Sequence, residues 1–599
     1  MKSSGGMHSN DYLSVLILLP LLAAVASYLD IRNSLIAIVL IIGSLVFLVA
    51  LNVNVAVQDR VFPLVIGCVS LSLLLLASLV SNNLSGFDIH QEFNVFSRVQ
   101  SEGFWRPEDV IKYNSVSSTY YSALSISILP TMIHAVTGLP DIPMFKFVFP
   151  MLWAISPVIL YKIYRNFLEP RFAFLSVFLF MSYPTFYHEM IQLARQEIAE
   201  FLLIVLLWGL FCGRLRSTHG RALLLIVLTF GIITAHYSMG YLYILLLGIS
   251  FLASNLSRKS LSLNSGSILF LSVVMAAGWY VLAAGGIAVV TLSNFLSFVA
   301  NHLLADFLNP SSRPTMVLQA LGLATVTPGI LHDLNRVTQY IVLFCMVVGF
   351  LVFLCKSRKS LAERRMLPLT VAGFGLLFAS LMVPYFAAAL NLSRFYSFAL
   401  LFVSPCFVYG AKEIEFVLGG LVAYLRGGIF RVQIRSTTLK AWFLVATILI
   451  SFFLFTGGWV WAVSMDTPTS SILDYQRIAN SPDLRVRVGY FDEYIITEDI
   501  TGTHWLISHF ATGKNLCADY TSRYLVLNSY GGFSREGISA LPYACQLGNY
   551  VYLDILNTRY GVVTQGQGNW TSYNVQLHTA LGNRIYSNGA TTIGVGIEV

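Results

Sequence analysis

The chain is short of charge. Across 599 residues it carries 37 Lys and Arg and 29 Asp and Glu, together 11% of positions, while 56% of positions are hydrophobic. A soluble protein carries charge on about a quarter of its residues, so that class is excluded. With a mean hydropathy of +0.71, the composition predicts a polytopic membrane protein. Cysteine is scarce too, seven in all. Cys68, Cys212, Cys345 and Cys406 fall inside apolar runs, where a thiol behaves as a small hydrophobe, and Cys355 ends another run. Cys517 and Cys545 lie in a polar C-terminal region and could pair if that region is extracytoplasmic, although their spacing fixes no geometry. There is no phosphate loop, dinucleotide-binding glycine pattern, HExxH or CxxC, no fixed-period repeat and no low-complexity tract. ATP-driven transport and soluble-cofactor redox chemistry therefore lack their usual marks. Residues 1–11 also lack the basic patch and cleavage site of a cleaved signal peptide, so the first apolar run is expected to stay as an anchor.

What is abundant is long apolar runs. A helix needs about 20 such residues to cross the hydrocarbon. Candidate spans lie near 12–29, 34–52, 63–81, 145–163, 171–187, 197–213, 221–235, 237–254, 267–289, 338–355, 367–389, 396–412 and 441–464. Basic loops at 162–171, 214–221, 258–259, 356–365 and 426–440 all fall on one side if the chain alternates, and that side is then cytoplasmic. The net charge of +8 sits largely in such topology signals and does not point to nucleic acid. Residues 120–136 are apolar but contain Pro130 and His134, and counting them as a span would invert every later loop. They are expected to form a helix in the outer interface. The expectation is about thirteen spans, with the N-terminus cytoplasmic and the C-terminus outside. A transmembrane domain over 1–464, with an outer loop at 82–144, precedes a small extracytoplasmic α/β domain over 465–599. Turn chemistry at 529–532 and 587–589, β-rich runs at 550–555 and 560–563, and one amphipathic helix at 501–510 mark that second domain.

Under this topology, charged side chains from four loops gather at the outer face. Gly86-Phe87-Asp88-Ile89-His90-Gln91-Glu92-Phe93 follows the third run. Acids at a membrane surface are costly unless they act. Asp88 and Glu92 share one face of any helix that begins there. Asp88 either serves as a general base or caps a helix over 89–99; being nearer the span, it is the better base of the two. Asp88, His90 and Glu92 could also hold a divalent ion such as Mg or Mn, a weak signal from one short cluster. His188-Glu189 and Ala194-Arg195-Gln196-Glu197 flank a second outer loop. There Arg195 either grips a phosphate or pairs with Glu197 to lock the helix end. His236 stands at the tip of a tight hairpin, as a direct participant or a packing residue. Arg394, in Asn391-Leu392-Ser393-Arg394-Phe395-Tyr396, either binds phosphate or snorkels to the interface. Aromatics such as Phe93, Trp105 and Tyr120 suit an interfacial segment.

The outer acidic motif after an early span, the short hairpin, the Arg in a late outer loop and the C-terminal outer domain together resemble the GT-C superfamily. These are multi-span glycosyltransferases that use polyprenyl-phosphate-linked sugars. More closely, the Asp88 motif, Ala194-Arg195-Gln196-Glu197-Ile198-Ala199-Glu200, His236-Tyr237-Ser238, Leu392-Ser393-Arg394-Phe395-Tyr396 and the ending Arg584-Ile585-Tyr586-Ser587-Asn588-Gly589 are similar to a family of predicted, mainly archaeal, multi-pass membrane proteins. The resemblance implies Asp88 as catalytic carboxylate, with Glu92 beside it. It implies Arg195 and Arg394, with His236 near them, as holders of the donor phosphate, and His90, His188, Glu189 and Glu197 as supporting groups. Two additional spans precede the acidic loop, and the Trp-Trp-Asp-Tyr-Gly motif of oligosaccharyltransferases is absent. Those departures favour transfer of one sugar, by inverting displacement, to a glycan, lipid or protein acceptor over en bloc transfer to Asn. The alternative is a lipid or polysaccharide transporter, which should place charge near the midplane or on both faces, often with repeat symmetry. A non-catalytic receptor or assembly protein is the third reading.

Overall fold

A computed structural model describes residues 22, 25, 59–107, 116–211, 218–256, 266–323, 328–356, 360–388, 391–425, 438–466, 475–511, 513–541, 548–566, 569–573 and 581–597. The expected spans at 12–29 and 34–52 lie outside these residues. Each of the other eleven coincides with an apolar helix. In chain order the helices are α1 (Phe62–Ser78), followed by α2 (Asp88–Glu102), α3 (Val116–Tyr121) and α4 (Ile128–Thr137), which match no expected span. Then come α5 (Asp141–Tyr164), α6 (Pro170–Met181), α7 (Ala194–Phe211), α8 (Thr218–Ala235), α9 (Tyr237–Leu256) and α10 (Gly266–Ala283). The series closes with α11 (Ile287–His302), α12 (Ile330–Lys356), α13 (Leu361–Met382), α14 (Leu392–Leu425) and α15 (Thr438–Thr456). Among the described residues, five helices are long and apolar enough to cross a bilayer: α5, α10, most of α12, α13 and residues 392–419 of α14. The protein is a multi-pass membrane protein, mostly helical.

Some boundaries differ from the sequence reading. The run expected at 267–289 widens into a π-type turn at Gly278–Ala283, and a separate apolar helix, α11, follows it. The helix expected at 396–412 extends to 34 residues, its polar end passing beyond the apolar window. Residues 120–136 do not make one continuous helix. Their main piece, α4, has 10 residues, about 15 Å of rise against a hydrocarbon core of about 30 Å. Leu124 N–H donates to Thr234 O (2.9 Å) and Ser125 Oγ to Ala235 O (2.8 Å), so this segment rests on the tip of the α8–α9 hairpin.

Packing inside the helical unit relies on small residues where backbones meet. α12 crosses α14 at Gly349 and Gly410, where an added Cβ would collide with the carbonyl oxygens of Cys406 and Cys345 respectively. Without a hydrophobic force between helices in lipid, such close approach supplies the contact energy. Ser360 and Glu363 form a capping box that opens α13.

The C-terminal region carries α16 (Leu484–Glu493), α17 (Thr497–His509) and a sheet around α18 (Ile555–Tyr560). Its strands are β1 (Leu516–Ala518), β2 (Ile538–Ala540), β3 (Tyr550–Leu553), β4 (Val562–Gly566), β5 (Asn569–Ser572), β6 (Leu581–Ser587) and β7 (Thr592–Ile597). The five-stranded sheet has the order β2-β1-β3-β7-β6, and β4-β5 form a separate pair. β1 runs parallel to β2 and β3, whereas β7 is antiparallel to β3 and β6. The helix expected at 501–510 starts earlier, at Thr497, with Glu498 and Asp499 in its first turn. The β-rich run at 550–555 is cut at Leu553 because Asp554 caps α18, accepting from Asn557 N–H at 3.0 Å. Cys517 is buried in β1 and disulfide-bonded; Cys545 lies outside the described residues.

Residues 83–94 and this C-terminal unit are tied by hydrogen bonds to backbone carbonyls. Gly86 N–H donates to Glu493 O (2.7 Å), Ser85 bridges Tyr494, and Asn83 Nδ2 donates to Ile495 O (3.0 Å). Gln91 Nε2 reaches Tyr524 O and Asn94 Nδ2 reaches Asn528 O, both at 2.6 Å. Gly86 is required at its position: its φ is +109°, and a Cβ there would meet the Gln192 side chain.

Candidate active site

α2 begins at Asp88, not before it. Phe87 is the capping position, and no side chain caps the helix, so Asp88 is not the N-cap that one reading of the sequence allowed. Its carboxylate faces sideways, into a set of cations. Arg394 Nη2, in the first turn of α14, donates to Asp88 Oδ2 at 2.9 Å. Arg195 Nη2, in the first turn of α7, lies 3.7 Å from the same oxygen. Tyr120 O–H donates to Oδ1 at 2.9 Å. Three segments far apart in sequence thus converge on one carboxylate.

Glu92, one turn along α2, is fully buried; its Oε1 forms an ion pair with Arg195 Nε at 3.1 Å, and its Oε2 accepts from Arg195 backbone N–H at 3.4 Å. The Arg195 guanidinium also stacks on Tyr120, 3.7 Å from the ring centroid. The expected Arg195–Glu197 lock is absent; Arg195 turns to α2 instead. The two acids are pushed apart electrostatically. Burial alone would raise Asp88, but Arg394, Arg195 and the Tyr120 hydroxyl together hold it below the usual carboxylate range. For Glu92 burial prevails over Arg195 and lifts it to about 8. At neutral pH Asp88 is the ionised partner and Glu92 the protonated one.

The remaining sequence candidates scatter. His90 is buried and held neutral, pushed down to about 3 by burial, with Nδ1 3.1 Å from the Tyr530 hydroxyl. A metal cradle of Asp88, His90 and Glu92 is not formed. Residues two apart on a helix point about 200° away from each other, and among the described residues no three His, Cys, Asp or Glu side chains are placed to share an ion. His188 Nε2 faces Glu493 at 3.5 Å, and Glu189 accepts from Ser393 Oγ at 2.7 Å. Both tie segments that adjoin the site: Ser393 precedes Arg394, and Glu493 O accepts from Gly86 N–H. His236 is buried, with Nδ1 accepting from Met239 N–H (3.3 Å), and it feels the charges of Arg195 and Arg394. Glu197 is buried in α7 with neither carboxyl oxygen hydrogen-bonded, close enough to feel the charges of Glu92 and Glu200.

The C-terminal unit adds groups that the sequence did not flag. Phe87 stacks on Tyr520 (5.8 Å between centroids), Tyr520 lies 4.4 Å from Tyr524, and Arg535 sits 4.7 Å over Tyr524. Arg535 interacts electrostatically with Tyr120, and Tyr520 with Asp88. No spacing rule singles out Arg535 or Tyr524, because only tertiary folding brings residues 520–535 over residue 88. The arrangement can anchor an anion beside an ionised carboxylate, under a roof of aromatic rings.

No curated protein sequence matches the chain. Solved structures similar to it include the Archaeoglobus fulgidus oligosaccharyltransferase in the apo form, at 12% identity and a TM-score of 0.45, covering 84% of this chain and 70% of that one. Another is the archaeal oligosaccharyltransferase AglB from Archaeoglobus fulgidus in complex with an inhibitory peptide and a dolichol-phosphate. It has 12% identity and a TM-score of 0.44, covering 86% of this chain and 74% of that one. A family model described as predicted membrane protein (DUF2206) matches residues 221–594, more than half of the sequence, and the chain belongs to that family.

Proposed function

We propose that this protein is a membrane glycosyltransferase that moves a sugar from a polyprenyl-phosphate-linked donor to an extracytoplasmic glycan, lipid or protein acceptor. The observation that carries the reading is the Asp88 carboxylate, ionised and flanked by Arg394 at 2.9 Å and Arg195 at 3.7 Å. In this reading the acceptor hydroxyl attacks the anomeric carbon and gives its proton to Asp88. The bond from that carbon to the phosphate oxygen breaks on the opposite side, inverting the centre. The electron pair stays on the departing polyprenyl phosphate, whose charge is stabilised by Arg195 and Arg394, with His236 behind them. Phosphate is a good leaving group, so no general acid is needed.

The two arginines have a second consequence here. They hold Asp88 below its normal basicity. An arriving phosphate competes for the same guanidinium charge, which raises the basicity of Asp88 once the donor is in place. Glu92, carrying its proton at neutral pH, orients Arg195 and is not the base. The basic loops support a topology with the N-terminus in the cytoplasm and the Asp88 side outside, in which residues 1–464 form the transmembrane catalytic unit and 465–599 the outer domain.

The test is transfer from a panel of radiolabelled polyprenyl-phosphate sugars in proteoliposomes. Asp88→Asn should lower turnover by about 10² to 10⁴, the worth of a general base, with donor binding retained. Normal turnover in that variant would remove Asp88 from the role.

A further inference from the structure

Helix α2 has a second working face. Asp88 and Glu92 lie on one side, while Phe93, Ser97 and Ser101 lie about 140–220° around the helix from Asp88. That opposite face, the start of α5 at Asp141, His504 of α17 and the 529–532 turn enclose a cleft of about 640 Å³. Four segments distant in sequence build its walls. Its size falls within the roughly 300–1,000 Å³ of small-molecule sites.

We propose that this cleft is a saccharide-docking site, holding the body of a glycan acceptor on the far side of the helix that carries Asp88. The chemistry of the walls selects the class. Phe93 and Tyr530, with ring centroids 5.6 Å apart, supply an apolar surface of the kind sugar C–H faces stack on. Ser97 and Ser101 donate to carbonyls of their own helix, at 2.9 Å each, which leaves their lone pairs for incoming hydroxyls. Arg98 and Asp141 bring one charge of each sign, so the cleft has no surplus with which to select a phosphate, and a lipid chain laid along it would strip water from both charges. Its walls are helix side chains and a turn, not the open strand edge that an extended peptide would pair with. Gly532, at φ +67° with open space around its Cα, leaves the turn side uncrowded.

The experiment uses the full chain in nanodiscs and saturation-transfer NMR. The probes are neutral di- to tetrasaccharides of glucose, mannose, galactose and N-acetylglucosamine, alongside unmodified Ser- and Asn-containing peptides. At least one oligosaccharide should bind. Ser97→Trp and Ser101→Trp fill the cleft, and His504→Ala removes an exposed partner; each should weaken binding about tenfold. Ser101 and His504 are solvent-exposed, so these two changes leave the fold in place. Binding to no saccharide, a preference for peptide, or insensitivity to all three variants would overturn the proposal. The acceptor role rests on the transferase reading, but the two fail separately. Sugar transfer indifferent to cleft variants sinks the docking site alone. Cleft-dependent saccharide binding without transfer from any polyprenyl-phosphate sugar sinks the transferase reading alone.

Discussion

At the scale of single residues, the two acids of α2 obey opposite pH rules. Glu92 has its folded value lifted by burial to about 8 from an ordinary 4.5. Between those values the folded state binds more proton than the unfolded one, so Glu92 makes stability fall as pH rises from about 4.5 to 8. Asp88 works the other way. Its folded value is depressed, so its contribution is complete above its ordinary 3.8 and is lost as pH drops through the lower folded value. Glu92→Gln should therefore flatten the decline in thermal midpoint between pH 5 and 8, measured in detergent. An unchanged slope would mean that Glu92 is ionised in the fold. Arg394→Ala leaves Asp88 with Arg195 and Tyr120 only. It should raise KM for the lipid-linked donor more than it lowers kcat, as read from initial rates against donor concentration. Much of this was legible in sequence. Asp88, Arg195 and Arg394 were each singled out by being charged at a helix end near the membrane, where charge needs a reason. Their mutual contact was not legible, since nothing in spacing 88, 195 and 394 apart says that they meet. The suggested Arg195–Glu197 pair was a local guess overturned by a stronger distant partner, Glu92.

At the scale of elements, apolar length was the reliable signal and boundaries were not. Helices α12 and α14 were found from hydropathy alone, but the reason they pack is two glycines that hydropathy ignores. A methyl group on Gly349 or Gly410 would run into a partner backbone carbonyl, which cannot swing aside as a side chain can. Overpacking costs roughly 1–3 kcal/mol even where side chains can yield. Gly410→Ala should cost at least that, seen as a lower thermal midpoint and lower yield of monodisperse protein, whereas Gly375→Ala, with open space around it, should be silent. The split of the 120–136 run was likewise beyond composition. Its pieces are set by hydrogen bonds to the carbonyls of Thr234 and Ala235, which only the folded hairpin presents there.

At the scale of the whole molecule, the outer unit is held by chemistry that depends on its surroundings. Cys517 lies buried in β1, between β2 and β3 of the five-stranded sheet, and is disulfide-bonded. Loss of a native disulfide typically costs about 2–5 kcal/mol, so Cys517→Ser or reductant should lower the unfolding midpoint of this unit, followed by Trp fluorescence, with little change in helical circular dichroism. Asp499 is buried, with Thr591 donating to its carboxylate and Tyr552 to its backbone carbonyl, and burial lifts it above the usual carboxylate range. By the same proton accounting, it makes the unit less stable as pH climbs above the ordinary Asp value.

The bridge between Ser85 and Tyr494, and the bond from Asn83 to Ile495, join partners 412 residues apart in the latter case. A ribosome adding about 5–20 residues per second needs roughly 20–80 seconds to make that interval. For all that time the loop bearing Asp88 waits without the bridge at Tyr494 and the Tyr520–Arg535 segment that complete it. In the proposed transferase, catalytic competence is thus switched on late in biosynthesis, once residues 494–535 have been made. A nascent chain stalled before residue 490 should show no transfer.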